Sequence, residues 1–122
     1  MSFYLDTNAV YSYIFEDAHS TRIDQWIDRN RTALVISDWL ETEFCALVHR
    51  RLRDGGLTAE ATRVGMADFD ALARERTLRL PLSAAADALH LALSAESGHC
   101  LVTFDIRLAN AAKALGFAVE TP

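Results

Sequence analysis

The sequence predicts an α/β fold with a central, mostly parallel sheet flanked by helices on both sides. Short runs that are apolar on both faces, at residues 3–5, 33–36 and 100–104, alternate with segments of helical spacing. Strands buried on both faces and separated by helices are typical of parallel sheets. A chain of 122 residues, 51% hydrophobic and 24% charged, has the composition of one folded domain. We therefore expect a single domain over residues 1–122.

The elements follow from local signals in chain order. The chain contains five strand candidates, at residues 3–5, 33–36, 78–80, 100–104 and 117–119. Residues 38–53 and 58–76 have the pattern of a helical hairpin, because Gly55 and Gly56 would end its first helix and Thr58 would cap its second. A later helix, capped by Ser83, should stop near Gly98.

Charge and composition exclude several functional classes. The net charge of −5 argues against a plain nucleic-acid-binding module, since phosphate contacts favour a basic surface. No apolar run is long enough for a membrane helix, and the first residues lack the pattern of a signal peptide. Cys45 and Cys100 have no metal-type spacing, so we expect reduced, buried thiols in a cytoplasmic protein without a membrane partner.

Two aspartates directly follow predicted strands. Asp6 comes after the strand at 3–5, and Asp105 comes after the strand at 100–104. Ligands of open parallel sheets bind outside the carboxyl ends of the strands, so these two carboxylates should share one edge. The alternative is that each simply caps the helix that begins after it.

Glu43 lies on the predicted core face of the helix at 38–53. That face contains Leu40, Phe44 and Leu47, and Glu43 is three residues after the first and four before the last. A carboxylate there has to be paired or bind a metal, and an ion pair with an arginine is the structural alternative. Glu41, three residues after Asp38, has the position of a capping-box partner instead.

Asp87 is the only charged residue in the apolar stretch 80–95. A helix that is apolar all round is buried, so Asp87 is either a metal ligand or a carboxylate that stabilises the first turn of the helix. Asp6, Glu43, Asp87 and Asp105 then form a set of oxygen donors without soft ligands. Such a set is typical of a site for Mg²⁺ or Mn²⁺.

The chain resembles the PIN-domain ribonucleases, and most of all the VapC-type toxins of VapBC toxin–antitoxin systems. The matching segments run nearly the length of the chain in order: Tyr-Leu-Asp-Thr-Asn at 4–8, Ile-Ser at 36–37 with Glu43 six residues after the serine, Ala-Asp-Ala-Leu-His-Leu-Ala at 86–92, Leu-Val-Thr-Phe-Asp at 101–105, and the stretch 111–117. Each motif alone is weak, whereas the ordered set is specific.

The resemblance implies an endoribonuclease that needs Mg²⁺ or Mn²⁺ and cleaves RNA phosphodiesters with a metal-activated water. It also implies that Asp6, Glu43, Asp87 and Asp105 are the catalytic and metal-binding quartet. By the same resemblance, Asn8 and Thr103 would orient ligands or waters from positions beside the quartet. A homodimer and a cognate antitoxin that blocks the active site would be the protein partners.

Two alternatives stay open at this point. Relatives usually place a strand and a helix before the third acid, whereas only residues 80–86 separate Leu78 and Arg79 from Asp87. The chain could therefore be a catalytically impaired PIN-like binding module. A receiver-like phosphoryl-transfer domain fits less well, because the acidic pair and the lysine of receivers are missing.

The sequence also contains two clusters of basic residues, one at 49–53 and one formed by Arg74, Arg76 and Arg79. They are either RNA contacts or solvated helix ends.

Overall fold

The computed structural model describes residues 2–30, 33–80, 98–114 and 116–122. Its strands are β1 (Phe3–Leu5), β2 (Leu34–Ser37), β3 (Thr77–Leu80), β4 (Cys100–Val102) and β5 (Val119–Glu120). Its helices are α1 (Thr7–Ile14), α2 (Ser20–Arg29), α3 (Asp38–Arg53), α4 (Ala59–Glu75) and α5 (Ile106–Ala114). The helix expected after Ser83, the shortened segment before Asp87, and Asp87 itself lie outside the described residues.

The described strands form one sheet in the order β3-β2-β1-β4-β5. Every pairing is parallel, with Phe3 opposite Leu34 on one side of β1 and opposite Cys100 on the other. The expected α/β class with a parallel sheet is confirmed. The order also differs from the 2-1-3-4-5 order of receiver domains, because the strand at 77–80 pairs with β2 and not with β1.

Alternate residues of each central strand face opposite sides of the sheet. Phe3 and Leu5 pack with α1, α2, α3 and α4 in the larger core, whereas Tyr4 packs with α5 in the smaller one. This alternation follows from the two-residue period of a strand. Every position of β1, β2 and β4 is buried, because helices cover both faces of the sheet.

The helical hairpin forms as expected. Thr58 caps α4 by accepting the Ala61 N–H at 3.0 Å, and Gly55 follows α3 with a φ of 84°, a conformation that favours glycine. The capping-box position of Glu41 implied that Asp38 caps α3, and this expectation was wrong: Ser37 is the cap residue and accepts the Leu40 N–H at 3.0 Å. None of the helices in the described ranges combines the length and the apolar character needed to cross a membrane.

Candidate active site

The strand order puts a crossover point between β1 and β4, next to the central position of the sheet. From β1 the chain proceeds to β2 and β3 on one side, and it then returns to the other side of β1 as β4. Crevices at the carboxyl ends of strands beside such a point are where open α/β sheets bind ligands. Asp6 follows β1, and Thr103 and Asp105 follow β4, so the topology itself brings these positions together.

Asp6 is buried, with 5% of its surface exposed. It precedes α1 but makes no side-chain cap hydrogen bond with it, so the capping alternative does not hold for this residue. Its Oδ2 accepts a hydrogen bond of 2.7 Å from the buried Thr103 hydroxyl instead. A buried carboxylate needs such partners, and here the partner comes from the neighbouring strand end.

Asp105 does act as a cap. Its Oδ1 accepts the backbone N–H groups of Arg107 and Leu108, at 2.9 and 3.1 Å, at the start of α5. Its own N–H donates to the Thr103 hydroxyl at 3.0 Å. The capping interpretation and a ligand role are therefore compatible, because the cap uses Oδ1 and does not involve Oδ2.

Glu43 reaches the same region from α3. Its Oε2 accepts a hydrogen bond of 2.7 Å from the hydroxyl of Thr7, the first residue of α1. The core face of α3 consists of Leu40, Phe44 and Val48, so the expectation that Leu47 belongs to it was wrong. Glu43 is half-buried beside that face.

The three carboxylates line one cavity of about 270 Å³, called here the acid cavity. Its walls are Asp6, Thr7, Asn8, Glu43, Ala46, Leu47, Arg50 and Asp105. Residues 43, 46, 47 and 50 have the helical spacing of one face of α3, which explains why the wall contains Glu43 and Arg50 together. Within the described ranges, no three histidine, cysteine or acidic side chains stand close enough to hold a metal ion by themselves.

Tyr4 connects the sheet with the start of α3. Its hydroxyl lies 2.6 Å from Ser37 Oγ, which caps α3. Burial raises the pKa of Tyr4, the hydrogen bond to Ser37 opposes this, and the negative charges of Asp6 and Glu43 raise it further. The phenol therefore stays neutral beside two carboxylates, and it fixes the helix that carries one of them.

The arginines of the two basic clusters in the sequence differ in their surroundings: some line a cavity, and one is paired with carboxylates. Arg50 lines the acid cavity, and the adjacent Arg51 lines a second cavity beside it. Arg79 belongs to no free basic surface, because its guanidinium pairs with Asp38 at 2.8 Å and with Glu41. Glu41 is thus structural, as expected, but through this ion pair and not through a capping box.

The second cavity, called here the side groove, has a volume of about 490 Å³. It is lined by Asn8, Tyr11, Ser12, Glu16, Asp17, His19, Leu47, Arg51, Gly56, Phe104 and Asp105. Asn8, Leu47 and Asp105 also line the acid cavity, so the two cavities are neighbours. Sequence reasoning missed the side groove, as well as Thr7. The one available signal for Thr7 was a hydroxyl directly after Asp6.

Comparison with known proteins gives a consistent assignment. The family model described as PIN domain matches residues 3–114. Ribonuclease VapC35 from Mycobacterium tuberculosis is 33% identical over 131 aligned residues, which cover 98% of this chain and 96% of that protein. The same protein from a second strain of that species matches equally well.

Two solved structures share the fold. The crystal structure of PAE2754 from Pyrobaculum aerophilum has a TM-score of 0.69 at 20% identity, covering 98% of this chain and 83% of that one. A domain of a functionally unknown protein from Methanocaldococcus jannaschii has a TM-score of 0.59 at 14% identity, covering 99% and 90%. At these sequence identities the two structures support a shared fold only.

Proposed function

The chain belongs to the PIN domain family and to its VapC-type members, and from this premise we propose that it is a toxin endoribonuclease that requires Mg²⁺ or Mn²⁺. The observation that carries the proposal is the acid cavity. Asp6, Glu43 and Asp105 come from three separate elements and line one cavity at the crossover point of the sheet. Structural stability alone would not require three carboxylates to meet at this place.

The donor chemistry of the cavity fits a hard divalent cation. The charged side chains of the cavity that can act as metal ligands are carboxylates. Mg²⁺ is bound through one or two carboxylates, waters and substrate phosphate rather than by a closed protein cage. Asp6, Glu43, Asp105 and, from its motif, Asp87 are the residues that would hold the ion. When bound, the ion lowers the pKa of a water and neutralises charge on the phosphoryl group.

The chain's own groups have separate roles in this proposal. Thr103 holds the Asp6 carboxylate through Oδ2, and Thr7 holds Glu43, so that both acids are oriented before RNA arrives. Such supporting hydrogen bonds are part of most metal sites. Asn8, at the boundary of the acid cavity and the side groove, would orient a water or a phosphate oxygen. Arg50 provides a positive charge for the phosphate next to the cleaved bond.

The proposed partners follow from the family. The named activity of the mycobacterial relative supports RNA as the substrate. VapC-type membership supports a cognate antitoxin that covers the active site, a homodimer as the assembly, and action in the cytoplasm. We treat residues 1–122 as one nuclease domain, since the family match extends over most of them.

The test is RNA cleavage by matched variants of one helix. Glu43→Gln and Glu41→Gln make the same chemical change on α3, but only Glu43 lines the acid cavity, and Glu41 pairs with Arg79. With a mixed RNA pool and Mg²⁺ or Mn²⁺, we expect Glu43→Gln, Asp6→Asn and Asp87→Asn to lose cleavage. Glu41→Gln should keep it, and a chelator should stop the wild type.

Each other outcome has a definite meaning. Cleavage that survives Asp6→Asn or Asp87→Asn would refute the assignment of the quartet. A wild-type protein that binds the RNA pool but cleaves none of it, with either metal, would favour the impaired binding module. Cleavage that persists in chelator would contradict the metal requirement while leaving the nuclease assignment intact.

A further inference from the structure

We infer that the side groove binds an unpaired nucleobase of the RNA, stacked against the ring pair Phe104–His19 and directly beside the cleaved phosphodiester. This inference rests on the proposed function and adds a subsite to it. The acid cavity accounts for the reaction at phosphorus, but among the described residues that line it there is no aromatic side chain to hold a base.

The ring pair is a ready stacking surface. The rings of His19 and Phe104 have centroids 4.3 Å apart and an interplanar angle of 22°. The Arg22 guanidinium carbon lies 5.4 Å from the centre of the Phe104 ring. Unpaired RNA bases are recognised by stacking on such aromatic, histidine and arginine planes. Both rings line the side groove and are only half-buried, so part of each ring is accessible to an incoming base.

The groove lies where a base next to the cut would be. Phe104 directly precedes Asp105, and Asp105 lines both cavities together with Asn8 and Leu47. A phosphate in the acid cavity therefore has an attached nucleoside within reach of the ring pair. The volume of about 490 Å³ is in the range of small-molecule sites, roughly 300–1,000 Å³.

Hydrogen bonds hold the backbone segment that carries His19. The buried Ser12 hydroxyl donates to Asp17 Oδ2 at 2.7 Å, and Asp17 Oδ1 accepts the backbone N–H of His19 at 2.8 Å. The segment between α1 and α2 is thus fixed to α1, which lowers the entropic cost of binding on a preformed surface. Arg51, on another wall of the groove, places a cation where a neighbouring phosphate would pass.

The experiment uses an RNA that the wild-type protein cuts, identified by sequencing the ends produced from a random single-stranded pool. That RNA is resynthesised with one abasic nucleotide at each position near the cut in turn. We measure kcat and KM for the wild type, Phe104→Leu, Phe104→Trp and His19→Leu. Phe104→Trp preserves the aromatic plane and is the matched control, and thermal unfolding checks that each variant is folded.

One abasic position should raise the wild-type KM roughly tenfold, the effect of losing one stacked base. Phe104→Leu should show a similar rise on intact RNA and no further rise at that abasic position, while Phe104→Trp behaves like the wild type. His19→Leu removes the second ring at the segment between α1 and α2 and gives the same test if Phe104→Leu fails to fold.

The inference is overturned if the leucine variants remain as sensitive as the wild type to every abasic position. It is also overturned if Phe104→Trp is as impaired as Phe104→Leu. In both cases Asp6→Asn would still be inactive, so the proposed nuclease function would stand alone. A wild-type protein that cuts no RNA would remove the proposed function and, with it, the subsite.

Discussion

The hydroxyl of Thr103 donates to Asp6 Oδ2 at 2.7 Å while accepting the backbone N–H of Asp105 at 3.0 Å. Asp6 and Thr103 are 97 residues apart in the sequence, and each follows a strand of the central parallel pair β1–β4. One small side chain therefore fixes the relative positions of two carboxylate-bearing residues of the acid cavity.

Replacing Thr103 by valine keeps the shape of the side chain and removes its hydroxyl. We expect activity, or the affinity for Mn²⁺, to fall about 10- to 100-fold, which is typical when a hydrogen bond to a metal ligand is lost. Thr103→Ser, which keeps the hydroxyl, should recover most of the loss. Steady-state cleavage across a Mn²⁺ titration measures both variants, and equal activity of valine and wild type would show that Asp6 needs no such support.

Arg50 and Arg51 should contribute to RNA binding through charge. Arg50→Gln and Arg51→Gln should each raise KM and reduce the slope of log KM against log salt by roughly 0.7, the value per phosphate contact with a single strand. Arg53→Gln on the same helix is the control, because Arg53 lines neither the acid cavity nor the side groove. A slope that stays unchanged in both cavity variants would assign these arginines to the solvated end of α3.

Gly65 allows α4 to approach the aromatic core. A Cβ at this position would collide with Cε1 and Cζ of Phe15, and Phe15 is itself stacked against Phe44. Gly65→Ala should lower the free energy of unfolding by about 1–2 kcal/mol, because overpacking outweighs the gain of alanine in a helix. Urea unfolding measures the change, and adding Phe15→Leu should partly restore stability. An alanine variant as stable as the wild type would mean that the ring moves freely.

Cys100 should make stability fall in alkaline solution. Burial, helped by the charge of Glu120, raises its pKa from 9.0 to about 11, so the folded protein keeps a proton that the unfolded chain loses. The contribution of this thiol to the free energy of unfolding is fully present below about pH 9. It decreases between about pH 9 and pH 11, by at most about 1.4 kcal/mol per pH unit. Unfolding curves of wild type and Cys100→Ala over this range should therefore converge as pH rises. If they remain parallel, the thiol does not titrate in this way.

The fold was predictable where signals are local. The buried strand at 3–5, the helix 38–53 and the cap at Thr58 all depend on neighbouring residues, and all three are confirmed. Strand order is a different matter, because nothing in the sequence of β3 says that it pairs with β2. Leu78 is 62% exposed, and its strand stands at the end of the sheet that the described residues form, which the sequence pattern did not reveal.

The site was predictable only in part, for the same reason. Because both residues directly follow strands, Asp6 and Asp105 were predicted to lie at the same edge of the sheet. The helical spacing of α3 distinguished Glu43 from Glu41. The hydrogen bonds that hold these acids were not foreseen, since Thr7 and Glu43 are 36 residues apart and Thr103 is still farther from Asp6. The ring pair Phe104–His19 likewise depends on how the segment between α1 and α2 lies against the end of β4.

The position of β1 between β2 and β4 has a consequence for the synthesis of this protein. A nascent chain that ends before Cys100 already contains Asp6 and Glu43. It lacks β4, however, the strand that pairs with one side of β1. It also lacks the hydroxyl that holds Asp6. For a protein proposed to cut RNA, the ribosome and messenger that produce it are therefore not exposed to an assembled catalytic centre until translation has passed β4. Prematurely terminated fragments should be harmless for the same reason.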